Sequence, residues 1–261
     1  MTENRRSRSN PPQPGNPHGL SRRQHVFPVI SIERFERDGG VDLYDLVRGK
    51  QRRAGNADTL FCADRSWNHG SETGFMKRIE DAFQKLATTI LAERHFDFDE
   101  AQCDVISEFY ALWQARAERR HLPMQYVEPA GTLGMRHEHS ADELEILEKN
   151  GYIAARPDGS FAMRDLMGTV IYLNVDRIRD ALAAKRWGLI EPVDGEFCVP
   201  DVPQHGILPL TPTLALIANE TSGRITEKNL ADINRAMFGL CQEYLFARDL
   251  SRCPGLPTDL A

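Results

Sequence analysis

Two consecutive stretches with helical periodicity constrain this chain more than anything else in it. Residues 74–93 set Phe75, Met76, Ile79, Phe83, Leu86, Ile90 and Leu91 on one stripe, opposite Lys77, Glu80 and Lys85, which is the signature of a helix burying one face. Residues 99–120 repeat the pattern with Val105, Ile106, Phe109, Leu112 and Trp113. Asp97 or Asp99 can accept from the exposed amides at its start. Arg116, Arg119 and Arg120 suit its far end, where unpaired carbonyls leave partial negative charge.

The remaining segments are shorter. Residues 24–35 crowd Val26, Phe27, Val29, Ile30, Ile32 and Phe35 around Pro28, which fits a short helix or a strand. Alternation in 41–47 predicts a half-buried strand after the Asp38-Gly39-Gly40 turn. Ser140-Ala141-Asp142-Glu143 is a capping box that opens a helix over about 141–150, with Gly151 as its stop. A long helix is expected over 161–185, interrupted at Gly168 or Asn174. Asp194-Gly195 predicts a hairpin between 189–190 and 197–199. Pro209 and Pro212 restrict 207–210 to an edge strand or extended segment, with a second apolar run at 214–218. A final helix is expected over 226–248.

The expected fold class is α+β: a mainly helical single domain over 21–250 with a small antiparallel sheet or hairpins. A disordered basic tail is expected at 1–20 and a flexible tail at 251–261, because neither holds enough apolar residues to offset the entropy of ordering. With 261 residues and 41% hydrophobic content, the chain can bury a full core. The five cysteines, Cys62, Cys103, Cys198, Cys241 and Cys253, form no C-x-x-C pair, so reduced thiols are expected. No signal-like or membrane-length apolar run is present, which makes a cytoplasmic location and no membrane partner the expectation. A net charge of −6 argues against nucleic-acid binding by bulk positive charge. It leaves the arm carrying Arg5, Arg6, Arg8, Arg22 and Arg23 as a local attachment point for a protein or nucleic-acid partner.

In order and spacing, several segments resemble the bacterial family called domain of unknown function 4238. They are Gln24-His25-Val26-Phe27-Pro28 through Phe35, Trp187 to Val199, Asp201-Val202-Pro203, Pro209-Leu210-Thr211-Pro212, and Ile233-Asn234-Arg235. Arg119-Arg120-His121-Leu122-Pro123 is similar to that family's central Arg-Thr-Pro element, in loosened form. Phe27 intervenes before the proline, and Val199-Pro200 stands where a Thr-Ser is common. The resemblance spans about residues 20–248 and implies a single α+β domain in a bacterium. It implies no chemistry.

Candidate residues follow from side-chain chemistry. His25 can act as acid, base or ligand near neutral pH, or pack and bond to backbone. Asp201 follows a predicted strand, where loop carboxylates take protons or metals, and can equally cap a turn. If the fold joined them, His25 and Asp201 would form an oriented catalytic pair. Arg116, Arg119 and Arg120, with Glu80 nearby, could bind phosphate or carboxylate through guanidinium forks. Asn234 could bind a ligand or a neighbouring segment. His137-Glu138-His139 places two imidazoles on one side of an extended strand, a spacing that suits a transition metal, although a solvated loop before the capping box reads as well.

No G-x-S-x-G, H-E-x-x-H, G-x-G-x-x-G or Gly-rich phosphate loop occurs. The leading expectation is therefore a non-enzymatic interaction module, of the kind found in bacterial defence, toxin or mobile-element systems. The alternative is a metal-dependent enzyme acting on nucleic acid or another phosphate-containing substrate, with a divalent metal as its cofactor. A third reading gives His25, Asp201 and Asn234 purely structural hydrogen bonds.

Overall fold

The structure, a computed structural model, describes residues 11–93, 97–120, 125–128, 138–182 and 186–257. Seven α-helices and twelve strands occur among them, besides three short 3-10 or π-helical segments. In chain order they are β1 (Arg23–His25), α1 (Val29–Glu33), β2 (Val41–Asp45), β3 (Lys50–Ala54), β4 (Cys62–Asp64), α2 (His69–Ser71), α3 (Lys77–Glu93), α4 (Glu100–Arg119), β5 (Tyr126–Val127), α5 (Ala141–Lys149), β6 (Phe161–Ala162), α6 (Met163–Leu182), β7 (Trp187–Pro192), β8 (Val199–Pro200), β9 (Ile207–Thr211), β10 (Leu214–Ala218), β11 (Gly223–Ile225), α7 (Glu227–Gly239) and β12 (Tyr244–Ala247).

Two four-stranded sheets carry most of the β structure. One runs β3-β2-β12-β8 and is antiparallel throughout. The other runs β11-β7-β10-β9, with β11 parallel to β7 and the other pairs antiparallel. β1 pairs with β4 and β5 with β6 as two-stranded ribbons. Helix accounts for 43% and strand for 21% of the described residues, which corrects the expected mainly helical domain with a small sheet to a mixed, multi-sheet α+β fold.

The reason lies in how the sheets are assembled. β12 pairs Tyr244 with Asp45 and Ala247 with Asp42, a contact between the two ends of the chain that no local pattern announces. All four β12 residues are buried, and a short continuous apolar run cannot be told from buried helix by periodicity. The helix expected over 226–248 instead stops at Gly239, and β12 follows. The expected hairpin at Asp194-Gly195 is also corrected: Gly195 makes its turn at φ +89, but β7 and β8 enter different sheets. In this part of the chain the antiparallel neighbours joined by a tight connection are β9 and β10, with Leu214 facing Thr211, and β9 is an edge strand, as Pro209 requires.

The helices follow the sequence more closely. Asp99 caps α4 and Ser140 caps α5, both with complete capping boxes. α6 runs unbroken through Gly168, whose missing side chain has a packing reason. A Cβ there would stand 1.8 Å from Ser71 Oγ, so glycine lets α2 and α6 approach.

α4 lies between α3 and α6 and joins them to both sheets. Phe109 stacks on Phe83 at 3.8 Å, and Trp113 packs on Phe27 at 4.5 Å. Phe27 in turn contacts Phe246 of β12 at 6.3 Å. Towards the second sheet, Trp187 Nε1 donates to Ser107 Oγ at 2.9 Å, and the Gly206 amide donates to the Tyr110 hydroxyl at 3.0 Å. The main apolar cluster draws on residues from Val26 to Phe246.

Residues 11–20, within the segment expected as a tail, run against α5. Leu20 is buried, and the Gln13 amide donates to Glu145 Oε1. At the other end Cys253 is buried, and the Pro254 carbonyl accepts from Asn234 at 3.1 Å. All five cysteines are free.

Candidate functional site

The last turn of α4 gathers most of the residues singled out by sequence. Arg116 is buried to 1% exposure and forms ion pairs with Glu80 and with Glu72, the latter at 3.2 Å. It also donates to the carbonyl of His25 at 3.2 Å and lies over the Trp67 ring. Burial works against its charge, but Glu72 and Glu80 outweigh it and hold the guanidinium above its ordinary pKa. One turn on, Arg120 donates to Glu243 and to the Leu60 carbonyl at 3.3 Å, and stacks over the Tyr244 ring. Residues four apart share a helix face, which is why the two forks point into the same interior. Arg119, between them, is half-buried, and its Nε has no hydrogen-bond partner.

Asp201 is 1% exposed and stands 3.8 Å from Arg120. Its two oxygens accept the Gln242 and Glu243 amides at 3.0 and 2.8 Å, just before β12. Burial raises its pKa, against the amides and Arg120. The carboxylate thus fastens the turn between α7 and β12. His25 is half-buried, and its Nε2 bonds the Asn56 carbonyl at 3.0 Å. α4 links both residues, through the His25 carbonyl and the Asp201 carboxylate, but the imidazole is directed to backbone rather than to Asp201.

Asn234 is fully buried. Its Oδ1 accepts the Cys198 amide at 3.1 Å, and its Nδ2 donates to the carbonyls of Glu196 and Pro254 at 2.9 and 3.1 Å. It ties α7 to the segment before β8 and to the C-terminal residues. His137 lies outside the described residues, as do Arg5, Arg6 and Arg8 of the basic arm, while His139 stands 4.0 Å from Glu143. Among the described residues, no group of three or more His, Cys, Asp or Glu is placed to hold a metal ion. No helix among them is long and apolar enough to cross a membrane.

A second charged cluster was not anticipated. Glu148 of α5 pairs with Arg65 and with Arg164 of α6, the latter at 3.0 Å, and all three side chains are at most 8% exposed. Glu148 Oε1, Arg65 Nε, Asp165 Oδ1 and Glu145 Oε2 are buried without hydrogen-bond partners. Burial lifts Asp165 to about 6, with Arg164 opposing and Glu148 assisting. α5 is therefore inverted: Glu145 and Glu148 face inward, while Leu144 and Ile146 are 39% and 41% exposed. Tyr152 and Ile153, just after the helix, extend the exposed apolar surface. The Glu145/Glu148 spacing of three within Leu-Glu-Ile-Leu-Glu puts both carboxylates on one face, but Leu144 and Leu147 have the same spacing, so the pattern did not announce which pair turns inward.

No family model matches the chain, and neither a curated protein nor a solved structure does.

Proposed function

We propose that this chain is a non-enzymatic interaction module that docks a protein partner on the outer surface of α5. The inversion of that helix carries the reading. A helix that turns Glu148 to buried arginines leaves Leu144 and Ile146, with Tyr152 and Ile153 beyond it, as apolar side chains that the described residues do not fully cover. Leu144 and Ile146 keep only 39% and 41% of their surface open, so covering the rest returns about 1 kcal/mol each, and the more exposed Tyr152 and Ile153 add to it. The α4 arginines support the same reading, since their forks are occupied by Glu72, Glu80 and Glu243 and by backbone carbonyls. The resemblance to the bacterial family of unknown function belongs to this proposal and adds no reaction to it.

The test is cross-linking from a photoreactive residue placed at Tyr152, in cells, for wild type and for the double variant Leu144→Asp/Ile146→Asp. One discrete protein adduct in wild type, lost in the variant with unchanged circular dichroism, is the expected result. An adduct equally strong in both would place the partner elsewhere and end the proposal.

A further inference from the structure

The segment that precedes β1 is tied to α5 by polar bonds along its length. The Gln13 amide donates to Glu145, and Gln13 Nε2 and His18 Nε2 reach Asp142 Oδ1 at 3.4 and 2.7 Å. Lys149 Nζ donates to the Gly19 carbonyl at 3.2 Å. Between these points Asn16 closes a small loop on Leu20, with both side-chain atoms bonded to the Leu20 backbone at 2.9 Å. The far end is held by α2: the Ser21 amide donates to His69 Nδ1 at 3.1 Å, and the Ser21 hydroxyl lies 2.9 Å from the same nitrogen.

That last bond dictates a protonation state. A backbone amide can only donate, so His69 Nδ1 must present a lone pair, and a protonated imidazole carries N–H on both nitrogens. We infer that residues 13–21 form a latch over α5 whose closed form requires neutral His69, so that the docking surface is held near neutral pH and loosened in acid. The inference names the regulation of the surface proposed above and rests on that reading for its purpose.

The surroundings of His69 favour the neutral ring. Burial lowers its pKa, Lys149 of α5 and Arg65 act in the same direction, and Glu148 and Glu72 oppose them. With the folded value below the ordinary one of about 6.5, the bond's contribution is complete above that value and is lost as pH falls through the folded value. On the strap itself, His18 Nε2 lies 2.7 Å from Asp142 Oδ1, and the bonds from His18 and Gln13 hold that carboxyl below its usual range. Asp165, held at about 6 behind α5, changes in the opposite sense to His69 and gains in acid. A global melting temperature would sum these opposed effects, so the latch has to be read locally.

The experiment is amide hydrogen exchange on the full chain at about pH 7.5 and about pH 5.5, corrected for the intrinsic rate, for wild type and His69→Gln. Gln offers an oxygen acceptor that does not titrate. Protection of residues 13–21 and 141–149 in wild type should fall about tenfold at the lower pH, while the variant shows no fall. Equal protection at both values in wild type, or the same fall in the variant, would overturn the latch. Should the variant not fold, the wild-type His69 titration followed by NMR takes its place. Its midpoint must coincide with the loss of protection, and a mismatch overturns the inference. Since no partner is present, failure here leaves the cross-linking result untouched, and failure of cross-linking leaves the latch standing.

Discussion

The last turn of α4 and the inner face of α5 both bury arginine against carboxylate, yet they are finished differently. Arg116 and Arg120 have carboxylates, carbonyls and an aromatic ring each, so most of the cost of removing the charges from water is met, with Arg116 Nε the one atom of these two forks left buried without a hydrogen bond. Around Glu148 several polar atoms stay unpartnered, and Asp165 carries a charge its surroundings resist. The contrast separates a cluster that fixes the fold from one that holds α5 without locking it. A helix meant to be latched and released is better served by the second kind.

The largest expected effect tests the first cluster. Arg116→Ala strands Glu80, leaves Glu72 with the Trp67 indole alone and frees the His25 carbonyl, and should cost about 3–5 kcal/mol in urea unfolding. A loss below about 1 kcal/mol would mean that the two clusters are equivalent. The second should move the other way. Asp165 has a folded value above its unfolded one, so its contribution is fully present below the unfolded value and is lost as pH rises through about 6. Asp165→Asn should therefore stabilise the protein by about 1–3 kcal/mol near neutral pH, with the gain vanishing at about pH 4 when unfolding is followed across pH. A destabilised variant at neutral pH would show that the Asp165 charge is well compensated after all. The smallest effect belongs to the outer face: Ile146→Asp should change stability by no more than about 0.5 kcal/mol, and a larger loss by chemical denaturation would reveal that this residue packs against the chain itself.

Legibility followed the range of the interactions. The α3 and α4 stripes, the Asp99 and Ser140 caps and Pro209 of β9 are local signals, and each element formed where the residues required it. The α7–β12 boundary was lost because Tyr244-Leu245-Phe246-Ala247 is buried on both faces and has no period to show. Of the candidate site, the chemistry of Arg116, Arg120, Asp201 and Asn234 was legible but their partners were not. A guanidinium fork looks the same in sequence whether it awaits a phosphate or already holds Glu80.

The arginines of α4's last turn mark the division. By itself the sequence determined that a helix ends there in a basic turn, because helix periodicity and end charges involve residues within a few positions of one another. Only the tertiary structure decided that Arg116 and Arg120 turn inward to carboxylates 36 and 123 residues away, that β12 closes a sheet with β2, and that α5 buries Glu145 and Glu148. Those outcomes depend on which distant groups can share desolvation, and that balance exists only once the chain has brought them together.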